Sequence, residues 1–312
     1  MKKRVYILIA CFLSIATLGQ SPQKNSSPTQ SPVNAGFFAI DRKDRSVPDV
    51  KQTDLTILEG KQPPRPVLSL KRGSELPLRL GLLIDASNSE RASSIYKPEV
   101  KAASDLLNQM VSGPDDRVLM VKISTVPEAT AFMDRGRLLS YKVDLTPGGG
   151  TALYDGIALA CKRMKEDATQ PARRVLILLS DGDDDLSHVS HKEAIATALD
   201  AGTVIFAVGT RDDPIGFAYG GAGNTRLKQF AESTGGEAFL HLRGKDVPNA
   251  FSTIREQIEN MYNVSYEPAE SDKKGFHSIE LRLSSGDKTR VRTAKGYYVK
   301  WASAFQRAAP LP

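Results

Sequence analysis

The stretch that decides the fold is "LGLLIDASNSERAS", residues 80–93. It opens with the apolar run Leu80–Ile84, which is typical of a strand that is buried on both faces of a sheet. The run ends abruptly at Asp85, and two hydroxyls follow at alternate positions, Ser87 and Ser89. Because burying such groups costs free energy unless they find partners, the end of this strand is a candidate binding site.

Strand-like and helix-like patterns alternate on the C-terminal side of this stretch. The other predicted strands are Val118–Ile123, Ala129–Met133, Val175–Leu179, Val204–Val208 and Ala238–Leu242. Apolar residues at helical spacing predict helices over residues 95–111, 152–165 and 247–262. Such alternation is typical of an α/β fold, and it predicts a doubly wound, mostly parallel sheet over residues 78–262.

The segments on either side of this domain have different compositions. Residues 20–34 are mostly Ser, Pro, Gln and Asn, and they are predicted to be a disordered linker. Residues 35–77 contain short apolar runs that predict a small β-rich segment. After residue 262 the apolar period changes to two, which predicts an antiparallel β extension over residues 263–300 and a tail over 301–312.

Residues 1–19 have the pattern of a secretory signal peptide. A basic start is followed by an apolar stretch, and Thr17 and Gly19 supply small residues before the predicted cleavage point. The alternative is a lipoprotein cleavage box that ends at Cys11, which would then carry a lipid anchor. Both interpretations predict a secreted, periplasmic or cell-envelope protein. The stretch is short for a bilayer span, and no later stretch approaches that length, so the mature chain is predicted to lack one.

Charge and cysteine content exclude several classes of protein. The net charge of +6 includes Lys2, Lys3 and Arg4 of the predicted signal peptide, so the mature chain is too weakly basic to indicate nucleic-acid binding. Besides Cys11 the only cysteine is Cys161, which excludes an internal disulfide or a cysteine-based metal cage in the mature chain.

Two more strand ends carry oxygen-bearing side chains. One is the loop "TPGGGTALYDG", residues 146–156, and the other is "LILLSDGDDD", residues 176–185. Ligands of open α/β sheets bind outside the carboxyl ends of the strands, where these loops would meet. The oxygen-bearing side chains at the three strand ends are those of Asp85, Ser87, Ser89, Thr151, Asp155 and Asp181, and together they are candidates to hold one metal ion. Carboxylates and hydroxyls favour Mg²⁺, Mn²⁺ or Ca²⁺ over zinc.

The order of three motifs also resembles a known family. "LLIDASNS" (82–89), "GGGTALYDG" (148–156) and "ILLSDGDD" (177–184) are similar to the von Willebrand factor type A domain and its metal-ion-dependent adhesion site. The flanking segments resemble those of secreted bacterial proteins related to this family. The resemblance implies that the two serines and Thr151 bind the cation directly, most often Mg²⁺, and that Asp85 and Asp181 act mainly through water.

In that family an open coordination position accepts a carboxylate from a partner protein. The resemblance therefore implies an adhesion-type module whose protein ligand presents Asp or Glu. One departure concerns the first motif, which often continues D-x-S-G-S-Met, whereas this chain has Asn88 and Glu90. Glu90 could reach toward the site and alter its affinity or its choice of partner.

Two other functions remain as alternatives. In the first, the chain is a structural or assembly scaffold, and the cation does no more than stabilise its fold. In the second, the chain is a metal-dependent hydrolase. A hydrolase is disfavoured because the glycine-rich loop lacks the lysine of a phosphate-binding loop, and no G-x-S-x-G elbow occurs. The three loops also contain no histidine that could act as a base, so the chain is not predicted to be an enzyme.

Two further loop segments have distinctive compositions. Asp183–Asp185 are expected to form a solvated acidic loop, and the glycine-rich segment 217–224 is a candidate recognition loop.

Overall fold

A computed structural model describes residues 32–43, 45–93, 96–141, 146–167, 171–211, 221–269, 275–284 and 289–299. The predicted signal peptide, the tail over 301–312 and all but the last three residues of the predicted linker lie outside these ranges.

The secondary structure of the described residues is as follows, in chain order. The strands are β1 (Val33–Asp41), β2 (Leu55–Glu59), β3 (Val67–Arg72), β4 (Leu78–Asp85), β5 (Arg117–Ile123), β6 (Glu128–Ala129), β7 (Arg173–Ser180), β8 (Thr203–Gly209), β9 (Ala238–Phe239), β10 (Tyr262–Tyr266), β11 (Gly275–Leu283), β12 (Thr289–Thr293) and β13 (Gly296–Val299). The α-helices are α1 (Tyr96–Met110), α2 (Arg135–Ser140), α3 (Leu153–Glu166), α4 (His191–Asp200), α5 (Gly221–Thr234) and α6 (Val247–Glu259).

The central sheet has six strands in the order β6-β5-β4-β7-β8-β9. All neighbouring strands are parallel except β6, which is antiparallel to β5. The prediction of a mostly parallel α/β sheet is therefore confirmed. The chain runs outward from β4 to β6 and then returns to place β7 on the other side of β4. The carboxyl ends of β4 and β7 thus flank a topological switch point, where doubly wound folds bind their ligands.

Helices cover both faces of this sheet. One buried core contains apolar residues of α1, α2 and α6, and a second core on the opposite face contains those of α3, α4 and α5. Strand β4 contributes side chains to both cores, since Leu82 belongs to the first core and Leu83 to the second. Burial on both faces explains why the central strands are near-continuous apolar runs.

The segments before and after the α/β unit pair with each other. Strands β12, β1, β10 and β3 form one antiparallel sheet in that order, and β13, β11 and β2 form another. A third buried core contains residues of both sheets: Ala35, Phe37, Ala39, Leu55, Ile57, Tyr262, Val264, Tyr266, Ile279 and Leu281. The two flanks, which the sequence patterns predict as separate β segments, therefore build one small β-sandwich.

Several predicted boundaries differ from the structure. The strand predicted over Ala129–Met133 is reduced to β6, with a single bridge from Met133 to Val118. The strand predicted over Ala238–Leu242 is reduced to β9, and β1 begins at Val33, inside the predicted linker. In the glycine-rich segment 217–224, the last four residues belong to α5 and the first four lie outside the described residues.

None of the helices in the described part of the chain combines the length and the apolar character needed to span a bilayer.

Candidate metal site

Asp85 lies at the end of β4 and is fully buried. Its Oδ1 accepts a hydrogen bond from the Ser87 backbone N–H at 2.9 Å, and its Oδ2 accepts one from the Ser180 hydroxyl at 2.7 Å. The hydroxyls of Ser87 and Ser89 are 2.9 Å apart. The first loop therefore gathers one carboxylate and two hydroxyls at the exit of the central strand.

Backbone hydrogen bonds join the second loop to the first. The Gly148 N–H donates to the Ala86 carbonyl at 2.7 Å, and the Asn88 N–H donates to the Gly149 carbonyl at 3.2 Å. Gly149 adopts a φ of 77°, a backbone conformation that favours glycine. The loop that carries Thr151 thus lies beside the loop that carries the two serines.

Acidic residues fasten the third loop to the second. Asp185 Oδ1 accepts the Thr151 N–H at 2.6 Å, and the Thr151 carbonyl accepts the N–H groups of Asp185 and Leu186, both at 3.0 Å. Asp184 accepts the Tyr154 N–H at 3.2 Å. Asp185 is exposed, as expected for a solvated acidic loop, and Asp184 is half-buried, and both carboxylates also order the loops around the buried Thr151.

Three carboxylates converge where the loops meet. One oxygen from each of Asp85, Glu90 and Asp181 lies within 4.8 Å of the others, and all three residues are buried. Burial raises the pKa of Asp85 to about 6, and the charge of Asp181 adds to the effect. Burial also raises the pKa of Glu90 to about 8, with Asp85 and Asp181 as further causes. The cluster therefore favours a bound cation, which would compensate for both desolvation and repulsion.

The site also contains residues that lie outside the predicted ligand set. The Ser180 hydroxyl donates a hydrogen bond to Asp85 Oδ2, and the Thr210 hydroxyl donates one to Glu90 Oε1 at 2.6 Å. The Arg211 guanidinium donates to Asp181 Oδ2 at 2.9 Å. Thr210 and Arg211 follow β8, whose carboxyl end is a fourth exit at the same edge of the sheet. Applying the strand-end rule to every predicted parallel strand would have found both.

The donor set fits a hard divalent cation. It consists of carboxylates and hydroxyls, which are the oxygen donors that Mg²⁺, Mn²⁺ and Ca²⁺ prefer. In addition, Glu90 Oε2 is buried and has no hydrogen-bond partner among the described residues. A buried carboxylate oxygen without a partner is costly, so a positive ligand at this position would stabilise the folded site.

Gly182 is expected to be indispensable to the third loop. Its φ is 80°, and a Cβ at this position would lie 2.3 Å from the Gly223 carbonyl oxygen. Gly182→Ala should therefore lower the free energy of unfolding by about 1–3 kcal/mol in urea denaturation, since the backbone must move. Gly221→Ala is the control, because a Cβ there meets no atom of the described residues within 4 Å. Equal stability of the two variants would contradict the expected strain.

The family model of the von Willebrand factor type A domain matches residues 80–257, more than half of the chain. The chain belongs to this family. Von Willebrand factor type A domains are commonly protein-interaction modules, and they bind divalent metal at the metal-ion-dependent adhesion site. The matched residues contain all three loops and the cluster of carboxylates. A search of curated proteins finds no match.

Solved structures with a similar fold share little sequence with this von Willebrand factor type A protein. A von Willebrand factor type A protein from Catenulispora acidiphila has 12% identity and a TM-score of 0.48, covering 87% of this chain and 75% of its own. Manganese-loaded TRAP protein from Plasmodium vivax has 12% identity and a TM-score of 0.43, and the match covers 79% of this chain and 100% of the TRAP chain. An aerotolerance-related membrane protein from Bacteroides fragilis has 16% identity and a TM-score of 0.42, and the match covers 58% of this chain and 98% of the other.

Proposed function

We propose that this von Willebrand factor type A protein is a protein-binding module of the bacterial cell envelope. It holds a divalent cation, Mg²⁺ with Mn²⁺ or Ca²⁺ as alternatives, and an acidic side chain of a partner protein completes the coordination. The residues proposed to hold the cation are Asp85, Ser87, Ser89, Thr151 and Asp181. The cation would supply an electrophilic position for the incoming carboxylate, and the surrounding loops would set specificity.

The observation that carries this proposal is the meeting of three loops that are distant in sequence. Asp85 ends β4 and Asp181 directly follows the neighbouring strand β7, and one carboxylate oxygen of each lies within 4.8 Å of the other. The Ser87 and Ser89 hydroxyls are paired beside Asp85, and hydrogen bonds from the first and third loops hold the segment around Thr151. The leader-like residues 1–19 support the proposed location in the envelope.

The test compares the wild-type chain with Thr151→Ala in pull-downs from the native envelope fraction, in Mg²⁺ and in EDTA. We expect the wild-type chain to capture a specific partner in Mg²⁺ and to lose it in EDTA. Thr151→Ala should lose the same partner in both buffers, because one proposed ligand of the cation is missing. Thermal melts of each sample would verify that the chain remains folded.

The same experiment separates adhesion from the scaffold alternative. If Thr151→Ala keeps the partner while its melting temperature falls, the cation serves only the stability of the fold. If phosphatase or esterase turnover appears with Mg²⁺ and disappears with EDTA, the hydrolase alternative replaces the binding module.

A further inference from the structure

Glu90 is held in an unusual environment for a glutamate. It lies in a short 3-10 helix, Asn88–Ala92, that follows the first loop, and only 3% of its surface is exposed. Its Oε1 accepts a hydrogen bond from the Thr210 hydroxyl at 2.6 Å, whereas its Oε2 is buried with no hydrogen-bond partner in the described part of the chain. A buried acid that has one satisfied and one unsatisfied oxygen indicates a further ligand at the second oxygen.

The position of this carboxylate identifies the kind of ligand. Its ligand atom lies within 4.8 Å of oxygens from Asp85 and Asp181. Two oxygens bound to one Ca²⁺ ion at about 2.3–2.6 Å can be up to about 5 Å apart, whereas two bound to Mg²⁺ at about 2.0–2.1 Å can be up to about 4.2 Å apart. The three carboxylates are therefore close enough to surround a single Ca²⁺ ion, and a smaller ion would draw them slightly closer together.

The charges around the cluster lead to the same conclusion. Arg211 donates to Asp181 at 2.9 Å and to Asp183 at 2.8 Å, and Arg226 donates to Asp183 at 3.2 Å. When the four carboxylates are ionised, these two guanidinium groups leave two negative charges, which one divalent cation would neutralise. Without Glu90, the same ion would leave a net positive charge in a site that is largely removed from water.

We propose that Glu90 is a ligand of the cation itself, positioned by Thr210 from the end of β8. This inference rests on the proposed function, because it assumes that the cluster binds a cation. It adds a third carboxylate to the five residues predicted from the motifs, at the position where the family's first motif often has Met. As a consequence, the cation is retained in the absence of a partner, and it attracts acidic side chains less strongly than a site without Glu90.

Glu99 provides a matched control on the neighbouring helix α1. It is fully buried, and neither of its carboxylate oxygens has a hydrogen-bond partner among the described residues. It is not one of the three clustered carboxylates. Burial raises its pKa to about 9, with the charge of Glu90 as a further cause, so Glu99→Gln changes little charge at neutral pH.

The experiment titrates Mn²⁺ into the metal-stripped full chain, with calorimetry for the Kd and water-proton relaxation for the water molecules on the bound ion. Glu90→Gln should raise the Kd at least about tenfold and increase the relaxation enhancement, since water replaces the lost ligand. Glu90→Asp should also weaken binding, because it keeps the charge but is one methylene shorter. Glu99→Gln should stay within about twofold of the wild-type Kd.

Each contrary outcome has a distinct meaning. If Glu90→Gln and Glu90→Asp both match the wild-type chain in Kd and relaxation, Glu90 is not a ligand, although the metal site stands. If only Glu90→Asp keeps wild-type values, Glu90 acts through its charge, and the inference is again overturned. If the wild-type chain binds no Mn²⁺, the proposed function fails together with the inference. Circular dichroism without metal verifies that each variant is folded.

Discussion

The metal-free protein is expected to lose stability as the pH rises from about 5 to about 9. The buried acid Glu99 is the main reason, since burial raises its pKa from 4.5 to about 9. Over this range the folded chain retains a proton that the unfolded chain has released. The stabilisation from this group is therefore complete below about pH 4.5 and is lost as the pH rises through about 9.

The free energy of unfolding should fall by several kcal/mol over this pH range, because each unit of difference between the folded and unfolded pKa corresponds to about 1.4 kcal/mol. Urea denaturation in EDTA at about pH 5, 7 and 9 would measure it. Glu99→Gln should make the free energy of unfolding less dependent on pH, since the amide does not ionise. Some dependence should remain in this variant, because burial also raises the pKa of Glu90, to about 8.

Asp105→Asn is the matched control for this experiment. Asp105 lies on the same helix, α1, but its side chain is 54% exposed and is paired with Lys101. Exposed ion pairs contribute little to stability, so the control should keep the wild-type dependence on pH. A wild-type stability that is constant or rises over this range would contradict the role assigned to Glu99.

Much of the candidate site was predictable because of one property of parallel sheets. Strands that run in the same direction place their carboxyl ends at one edge, so Asp85 and Asp181 could be brought together from sequence patterns alone. Glu90 could not be placed in this way. Its burial depends on the 3-10 helix turning it toward Thr210, a residue 120 positions away in the chain. Only the packed structure provides that contact.

The β-sandwich shows a similar limit. Alternating apolar residues correctly indicated β structure in both flanks, but alternation does not identify the partner of a strand. Strand β1 pairs with β10 and β12, and the whole α/β unit separates it from them in the sequence. Because antiparallel pairing over such a distance has no local signal, the flanks looked like two separate appendages.

This pairing predicts that the β-sandwich and the α/β unit unfold together. On β1, neighbouring aromatic residues point into different cores. Phe37 is fully buried and stacks on Tyr262 at a centroid distance of 5.2 Å, whereas Phe38 meets the Phe206 ring edge-to-face at 5.8 Å. Phe206 belongs to β8 of the central sheet, so one strand joins the two cores.

Phe37→Ala and Phe38→Ala should each lower the free energy of unfolding by about 3–5 kcal/mol, because each leaves a cavity in a packed core. Calorimetry should show one transition in the wild-type chain, and both variants should shift it by on the order of 10 °C. Phe276→Ala is the control, since Phe276 is 48% exposed and its loss should change stability by less than about 0.5 kcal/mol. Two separate transitions, with each variant shifting only one of them, would mean that β1 does not couple the two cores.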